Sequence, residues 1–403
     1  MTYVWLALVF LAVAVGAGAV LARPRAARTA ESGGAGVHWG AVGLTVLALV
    51  VLTAVFDSLM IAAELFHYDP AHLLGIRIGL APLEDFAYPL ACAVLLPGLW
   101  RVLTRSRREY RLLGRDGLLR QALIASRPVS WINTAFPFAA AMLLTTREID
   151  WVLIVGTVYF LIPYNLAMYG INDVFDYASD IRNPRKGGIE GALLAPPLHR
   201  PMLRLAAITN LPFLIVLMLA GGPAAWISIA VSAFAVVAYS APGLRFKERP
   251  VLDSITSSTH FVSPAIVGLA LAGADPSAGL IVLLGAFFLW GMAAHAFGAV
   301  QDIEPDREAG IGSIATVLGA RRTVRLAIAL WAVAGLVMLL TPWPGPLAAI
   351  VAVPYIVNCA RWWNVADADA TNTNISWRRF IWLNYASGFV VTMILILTWS
   401  LAP

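Results

Sequence analysis

The sequence predicts an all-α polytopic membrane protein with about twelve transmembrane helices, three at the N-terminal end and then a nine-helix bundle. Three observations carry this. Of the 403 residues, 60% are hydrophobic and only 13% charged, and the mean hydropathy is +0.78, too apolar for a soluble chain of this length. Apolar runs of about 20 residues, the length that spans a bilayer, recur along the whole chain. The basic residues gather in alternate loops, as the positive-inside rule requires. The lipid bilayer is therefore the first partner. The formal net charge of +5 reads as topology, with no nucleic-acid partner. Cys92 and Cys359 both sit in apolar segments, which argues against a disulfide framework or a zinc site.

The first helix is expected over residues 2–22. It lacks a basic n-region, exceeds the length of a signal-peptide core and is followed by Arg23, Arg25 and Arg28, so it reads as a retained helix with its N-terminus outside. Further helices are expected near 37–56, 78–100, 128–146, 151–171, 203–220, 224–240, 255–273, 277–299, 324–340, 345–360 and 381–402. The loops 23–36, 101–127, 172–202, 241–254, 300–323 and 361–380 then lie on the cytoplasmic side of the cell membrane. With their flanking helix ends they hold every Lys and Arg except Arg77 and Arg147. Loop 101–127 carries eight arginines against Glu109 and Asp116 and reads as an amphipathic linker drawn to anionic headgroups. It divides the chain into residues 1–104, a linker over 105–126, and residues 127–403.

The chemistry is expected where acids cluster at helix ends. Asn172, Asp176 and Asp180 recur at i, i+4, i+8, and Asp302 and Asp306 at i, i+4, so each set projects from one helix face. Asp173 lies off that face but joins the candidates. Two acidic faces that meet call for a cation between them, and hard oxygen donors suit Mg²⁺, which completes its shell with water and substrate phosphate. Arg182, Arg185 and Lys186 follow the first cluster, and Arg307 follows the second. Carboxylates for a metal beside basic groups for an anion make a diphosphate site, with Arg127, Arg182, Lys186, Arg245 and Lys247 as its anion-binding candidates. Metal and fixed cations neutralise a leaving diphosphate. Were the diphosphate allylic, the cation left behind would have to meet its acceptor in a dry site, where an aromatic face stabilises it. Tyr164, Tyr169, Trp290 and Phe297 are expected near the acidic ends. His295 reads as a hydrogen-bonded packing residue, and Asp367 and Asp369 as solvated.

The pattern Asn172-Asp173-x-x-Asp176-x-x-x-Asp180, with a second D-x-x-x-D at Asp302, resembles the UbiA superfamily of intramembrane prenyltransferases over about residues 120–403. Ser126-Arg127-Pro128, Tyr239-Ser240 and the basic stretch 245–249 support the likeness. The stretch from Asn183 to Ala192 looks like the branch that extends lycopene. The resemblance implies Mg²⁺ on Asn172, Asp173, Asp176, Asp180, Asp302 and Asp306, with Asp176 and Asp306 catalytic, dimethylallyl diphosphate as donor, and lycopene or its C45 intermediate as acceptor.

In residues 1–100, Pro82-Leu83-Glu84-Asp85-Phe86, with Tyr68-Asp69-Pro70 before it, resembles the small three-helix subunits of heterodimeric bacterial lycopene cyclases. Adjacent acids after a proline also suit plain helix capping. A carboxyl kept protonated in an apolar setting donates a proton to an alkene, which makes Glu84 or Asp85 the candidate acid. Such cyclases look as if they need two three-helix units, so a second cyclase subunit is expected. The combined expectation is a lycopene elongase fused to a cyclase subunit of C50 carotenoid biosynthesis. A UbiA-type aromatic prenyltransferase with an N-terminal membrane anchor is the alternative. A cation-coupled transporter would need inverted repeats and acids at mid-membrane; here the acids lie at helix ends.

Overall fold

The computed structural model describes residues 2–22, 39–65, 67–104, 115–177, 181 and 192–401. It divides into two compact units, Met1–Arg111 with Trp399–Pro403, and Leu112–Thr398.

In the N-terminal unit α1 (Thr2–Ala22) runs along α3 (Ala87–Thr104), which also meets α2 (Trp39–Ala62). Gly18 permits the α1–α3 approach, since a Cβ there would stand 3.0 Å from Val94. The helix expected from residue 78 begins only at Ala87. A two-residue hairpin precedes it, β1 (Arg77–Ile78) and β2 (Ala81–Pro82), paired Arg77 to Pro82 and Ile78 to Ala81. Gly79 turns this hairpin at φ +67, where a Cβ would lie 2.5 Å from Ser58 Oγ, and the next N–H, of Leu80, donates to that hydroxyl at 3.0 Å. The turn thus needs both the left-handed backbone and the missing side chain.

The second unit holds α4 (Arg115–Ala125), α5 (Ile132–Thr146), α6 (Trp151–Leu161), α7 (Pro163–Phe175), α8 (His199–Ala220), α9 (Pro223–Ser240), α10 (Leu252–Leu271) and α11 (Ala278–Val300). The short α12 (Ile303–Glu308) and α13 (Ile314–Leu318) follow, then α14 (Ala320–Met338), α15 (Ala352–Ala360) and all but the last residues of α16 (Asn374–Leu401). α5 packs on α6 and α10, α9 and α11 on α10, α14 on α11, and α8 on α7. Glycines permit close approaches here, as between membrane helices generally. A Cβ on Gly268 would stand 2.8 Å from the Phe138 carbonyl oxygen, and one on Gly291 would stand 2.4 Å from Ser258 Oγ. One apolar core gathers around Phe138, Phe160 and Tyr164, and another around Phe297, Trp331, Tyr355 and Phe380.

Each of the twelve expected segments holds a helix, and the chain is a polytopic helical membrane protein. Among the described residues seven helices are long and apolar enough to cross a membrane, or eight if the pair Gly117–Ser130 and Ile132–Thr146, bent by 59°, counts as one span. The shortfall has physical causes. α14 opens with Arg321, Arg322 and Arg325, and α15 is the end of a short piece over Gly345–Ala360.

Candidate active site

α6 and α7 form one span, Trp151–Phe175, broken at Ile162–Pro163, where proline supplies no N–H. Buried Asn165 mends the break by donating to Thr134 Oγ1 at 2.7 Å and to the Phe160 carbonyl at 2.8 Å. This anchorage fixes the far end of α7, where Asn172 and Asp173 occupy the last turn and Asp176 is the C-cap.

Two basic residues, Lys247 and Arg127, meet these groups, and a third, Arg245, stands in the same turn as Lys247. Lys247, in the turn after α9, forms an ion pair with Asp176 and lies 3.4 Å from Asn172 Oδ1. Ser240, the last residue of α9, donates to the same Asn172 oxygen at 2.9 Å. Burial pushes the Lys247 amine down to about 8, against the upward pull of Glu248, Asp173 and Asp306. Asp306 belongs to α12, whose N-cap position Asp302 occupies without a side-chain cap hydrogen bond, and its charge acts on Lys247, so the second acidic motif lies within electrostatic reach of the first motif's cation. Arg127 sits in the left-handed region at φ 49 between α4 and α5. Its guanidinium lies 4.1 Å from the Tyr169 ring centroid and 3.3 Å from Asp173. Arg245, also left-handed at φ 42, pairs with Glu248. Arg127 and Arg245 each keep a buried Nε without a partner among the described residues.

Asp173 differs from its neighbours. It is fully buried, with Oδ1 on Arg127 and Oδ2 accepting the Ala192 N–H at 2.9 Å, so it orients Arg127 and ties down the chain that returns to α8. Asp180, Arg182, Arg185 and Lys186 lie outside the described residues. Arg307 faces elsewhere, donating to Asp367 at 2.7 Å and to the Thr316 carbonyl at 2.9 Å. Asp367 is half-exposed, as a loop acid should be, but it also accepts the Ala320 N–H at 2.7 Å and so caps the start of α14. Of the four aromatic candidates only Tyr169 stands at the site. Tyr164 packs against Tyr159 and Phe160, Phe297 against Trp331 and Phe380, and Trp290 against Tyr355.

No group of three or more His, Cys, Asp or Glu among the described residues converges as a metal site. The oxygens of Asn172 and Asp176 do converge, on the Lys247 ammonium, within the field of Asp306. An all-oxygen set already gathered on a cation fits Mg²⁺, which needs few protein ligands when phosphate and water supply the rest.

The N-terminal unit has its own acid cluster. Glu84 and Asp85 lie in the turn Leu83–Phe86 that leads into α3. Glu84 is buried; its Oε1 accepts the Leu74 N–H at 2.6 Å, and its Oε2 has no partner among the described residues. Asp85 accepts the Tyr68 hydroxyl at 2.7 Å and shares a hydrogen bond with the Asp57 carboxyl of α2. Burial, and then the charge of Glu84, hold the Asp85 carboxyl above the usual carboxylate range.

A membrane-embedded helical bundle with paired acidic helix ends and buried cations is the architecture of an intramembrane prenyltransferase. Residues 134–384 match the model of the UbiA prenyltransferase family, and the chain belongs to that family. It is 50% identical to the C(50) beta-cyclic carotenoids biosynthesis protein LbtBC of Dietzia sp. (strain CQ4), over 89% of this chain and 91% of that protein. It is 52% identical to a lycopene elongase/hydratase of Corynebacterium glutamicum, over 69% of this chain and 97% of that one. A UbiA homolog from Archaeoglobus fulgidus, solved bound to GPP and Mg²⁺, shares the fold at TM-score 0.51 and 21% identity, covering 66% of this chain and 99% of its own.

Proposed function

We propose that this prenyltransferase moves dimethylallyl groups from dimethylallyl diphosphate to the two ends of lycopene. Its N-terminal unit, together with a second subunit, contributes to closing the end rings of the C50 product. The observation that carries the reading is the meeting of Asn172 and Asp176 on the Lys247 ammonium, with Arg127 and Asp306 beside them. Asn172, Asp176, Asp302 and Asp306 would hold Mg²⁺, with Asp180 from the adjoining segment. Bound there, Mg²⁺ supplies Lewis-acid neutralisation of the leaving diphosphate. Lys247, Arg127 and Arg245 bind the anion, with Arg182 and Lys186 completing the set. Asp173 keeps Arg127 in place. Tyr169, whose ring lies against Arg127, presents a π surface where the allyl cation forms. The motifs face the cytoplasm and the N-terminus lies outside, in keeping with the distribution of Lys and Arg.

The Dietzia relative supports the wider reading, because its alignment runs over 394 residues and so extends into the N-terminal helices. Two carboxyl groups in hydrogen-bond contact cannot both stay ionised, so Asp57 and Asp85 share a proton. Asp85 is placed to deliver it to a terminal alkene, with Glu84 and Tyr68 fixing the turn.

The direct test supplies membranes containing the protein with lycopene and labelled dimethylallyl diphosphate, or with longer labelled polyprenyl diphosphates. Label entering an extended polyene from the C5 donor alone is the expected result. Label from long donors entering an aromatic acceptor would replace this reading with prenylation of quinone precursors.

A further inference from the structure

A polar chain in the bundle is left unused by the chemistry above. Tyr239, in the last turn of α9, lies within electrostatic reach of Arg127, Tyr169 and Asp306, and its neighbour Ser240 holds Asn172. Its hydroxyl meets His295 Nε2 at 3.3 Å, and His295 Nδ1 meets Ser254 Oγ at 3.1 Å. Tyr239 and His295 keep some exposed area, while Ser254 behind them is fully buried. The buried Asp253 carboxylate acts on His295 and is anchored by the N–H groups of Ser254 and Ile314, each at 2.7 Å. His260 stands edge-on to Tyr239, with ring centroids 5.2 Å apart. It is 3% exposed, and neither of its ring nitrogens has a partner among the described residues.

Polar groups buried in membrane helices are costly unless they are used, and packing alone does not ask for two imidazoles, one of them without partners. Their depth suits a particular use. His295 lies in α11 five residues before its end at Val300, about 7.5 Å along the helix axis, and so deeper in the bundle than the turn that carries Asp302. An allylic chain whose diphosphate sits at the acidic ends would extend its carbon end in that direction.

We infer that Tyr239 and His295 form the proton-accepting relay that ends prenyl transfer by taking a proton from the extended polyene cation. The inference rests on the acceptor proposed above. The allylic C–O bond breaks and its electron pair leaves on diphosphate. The π pair of the terminal alkene then forms the new C–C bond, leaving a tertiary cation on the acceptor. A neighbouring C–H bond breaks, its pair closes a new C=C, and the proton passes to the Tyr239 oxygen as the tyrosine's own proton moves to His295 Nε2. With Nδ1–H donating to Ser254, the Nε2 lone pair is the one turned to Tyr239, and Asp253 balances the imidazolium that results. Tyr239 is then a catalytic residue. His295, acting through it, is a positioning residue, and His260 braces the tyrosine ring.

The test compares wild type, Tyr239→Phe and His295→Gln in membranes supplied with lycopene, Mg²⁺ and dimethylallyl diphosphate. It reads diphosphate release and the ratio of the prenylated alkene to its water adduct. The relay predicts continued diphosphate release and a fall in that ratio of at least about tenfold in both variants, as water replaces the lost base. An unchanged ratio would overturn it. Loss of diphosphate release in Tyr239→Phe, which keeps the ring and removes only the hydroxyl, would also overturn it, because the relay acts after ionisation. A wild-type chain that releases diphosphate without prenylating any polyene would sink the proposed acceptor, and the relay with it.

Discussion

At the scale of single residues, charge partners decide what each acid does. Asp173 and Asp176 stand three apart on one helix end, yet Asp173 is sealed between Arg127 and the Ala192 N–H while Asp176 meets Lys247. The spacing revealed the acids and set Asp173 off the common face; it did not show which cation each would meet, because those partners arrive from α4–α5 and α9–α10. The same limit hid the partners of Arg307 and Asp367. They pair with each other 60 positions apart, away from the site. Asp367→Ala is therefore expected to lower stability by about 1 kcal/mol through the lost cap on α14, with the initial rate of prenyl transfer unchanged; thermal unfolding in detergent with a parallel rate assay checks both. Asp85 predicts a pH dependence. Its carboxyl is raised by burial, so the folded chain holds that proton to higher pH than the unfolded chain does. This contribution is complete below the ordinary aspartate value of about 3.9 and is lost as pH rises through the folded value. Ring closure measured across pH should fall on the alkaline side, and Asp85→Asn should abolish it at every pH.

At the scale of elements, apolar runs and basic loops located a helix in each expected segment, because lipid leaves an open chain no other way to satisfy its backbone. What composition could not show is where a helix yields to local geometry. The hairpin around Gly79 takes the place of the first turns expected of α3, and Arg127 bends the entry to α5 through a left-handed residue before proline, against the usual extended preference there. Tyr164, Phe297 and Trp290 were expected at the acidic helix ends, but the faces they occupy turn into the two cores. Helix approach also rests on single glycines. Gly268→Ala would drive a methyl to 2.8 Å from the Phe138 backbone oxygen, where no side chain can give way. The expected cost is about 1–3 kcal/mol of stability, read as a lower melting temperature of the purified protein. Gly285, which has nothing within 4 Å of an added Cβ, is the control on α11 and should tolerate alanine.

At the scale of the whole molecule, the chain carries two acid centres of different kinds in two compact units. In the second unit acids gather on cations and suit metal and diphosphate. In the first, acids gather on one another and on a tyrosine, and suit a shared proton. If each centre performs its own step, the steps are separable in the full-length chain. Asp85→Asn should leave prenyl transfer within about twofold of wild type while ring closure is lost, whereas Asp176→Ala should stop prenyl transfer by at least about 100-fold, consistent with the loss of a group that stabilises leaving charge. Pigment profiles of the two variants, expressed with a heterodimeric-type cyclase subunit of the kind proposed above, separate the steps.

The most direct measurement expresses the wild-type chain and Asp176→Ala in lycopene-accumulating cells and determines the pigment masses. Lycopene extended by one and two C5 units in wild type, and absent in the variant, is the predicted result. Unchanged lycopene in cells whose membranes hold well-folded wild-type protein and ample Mg²⁺ would contradict the account at its centre.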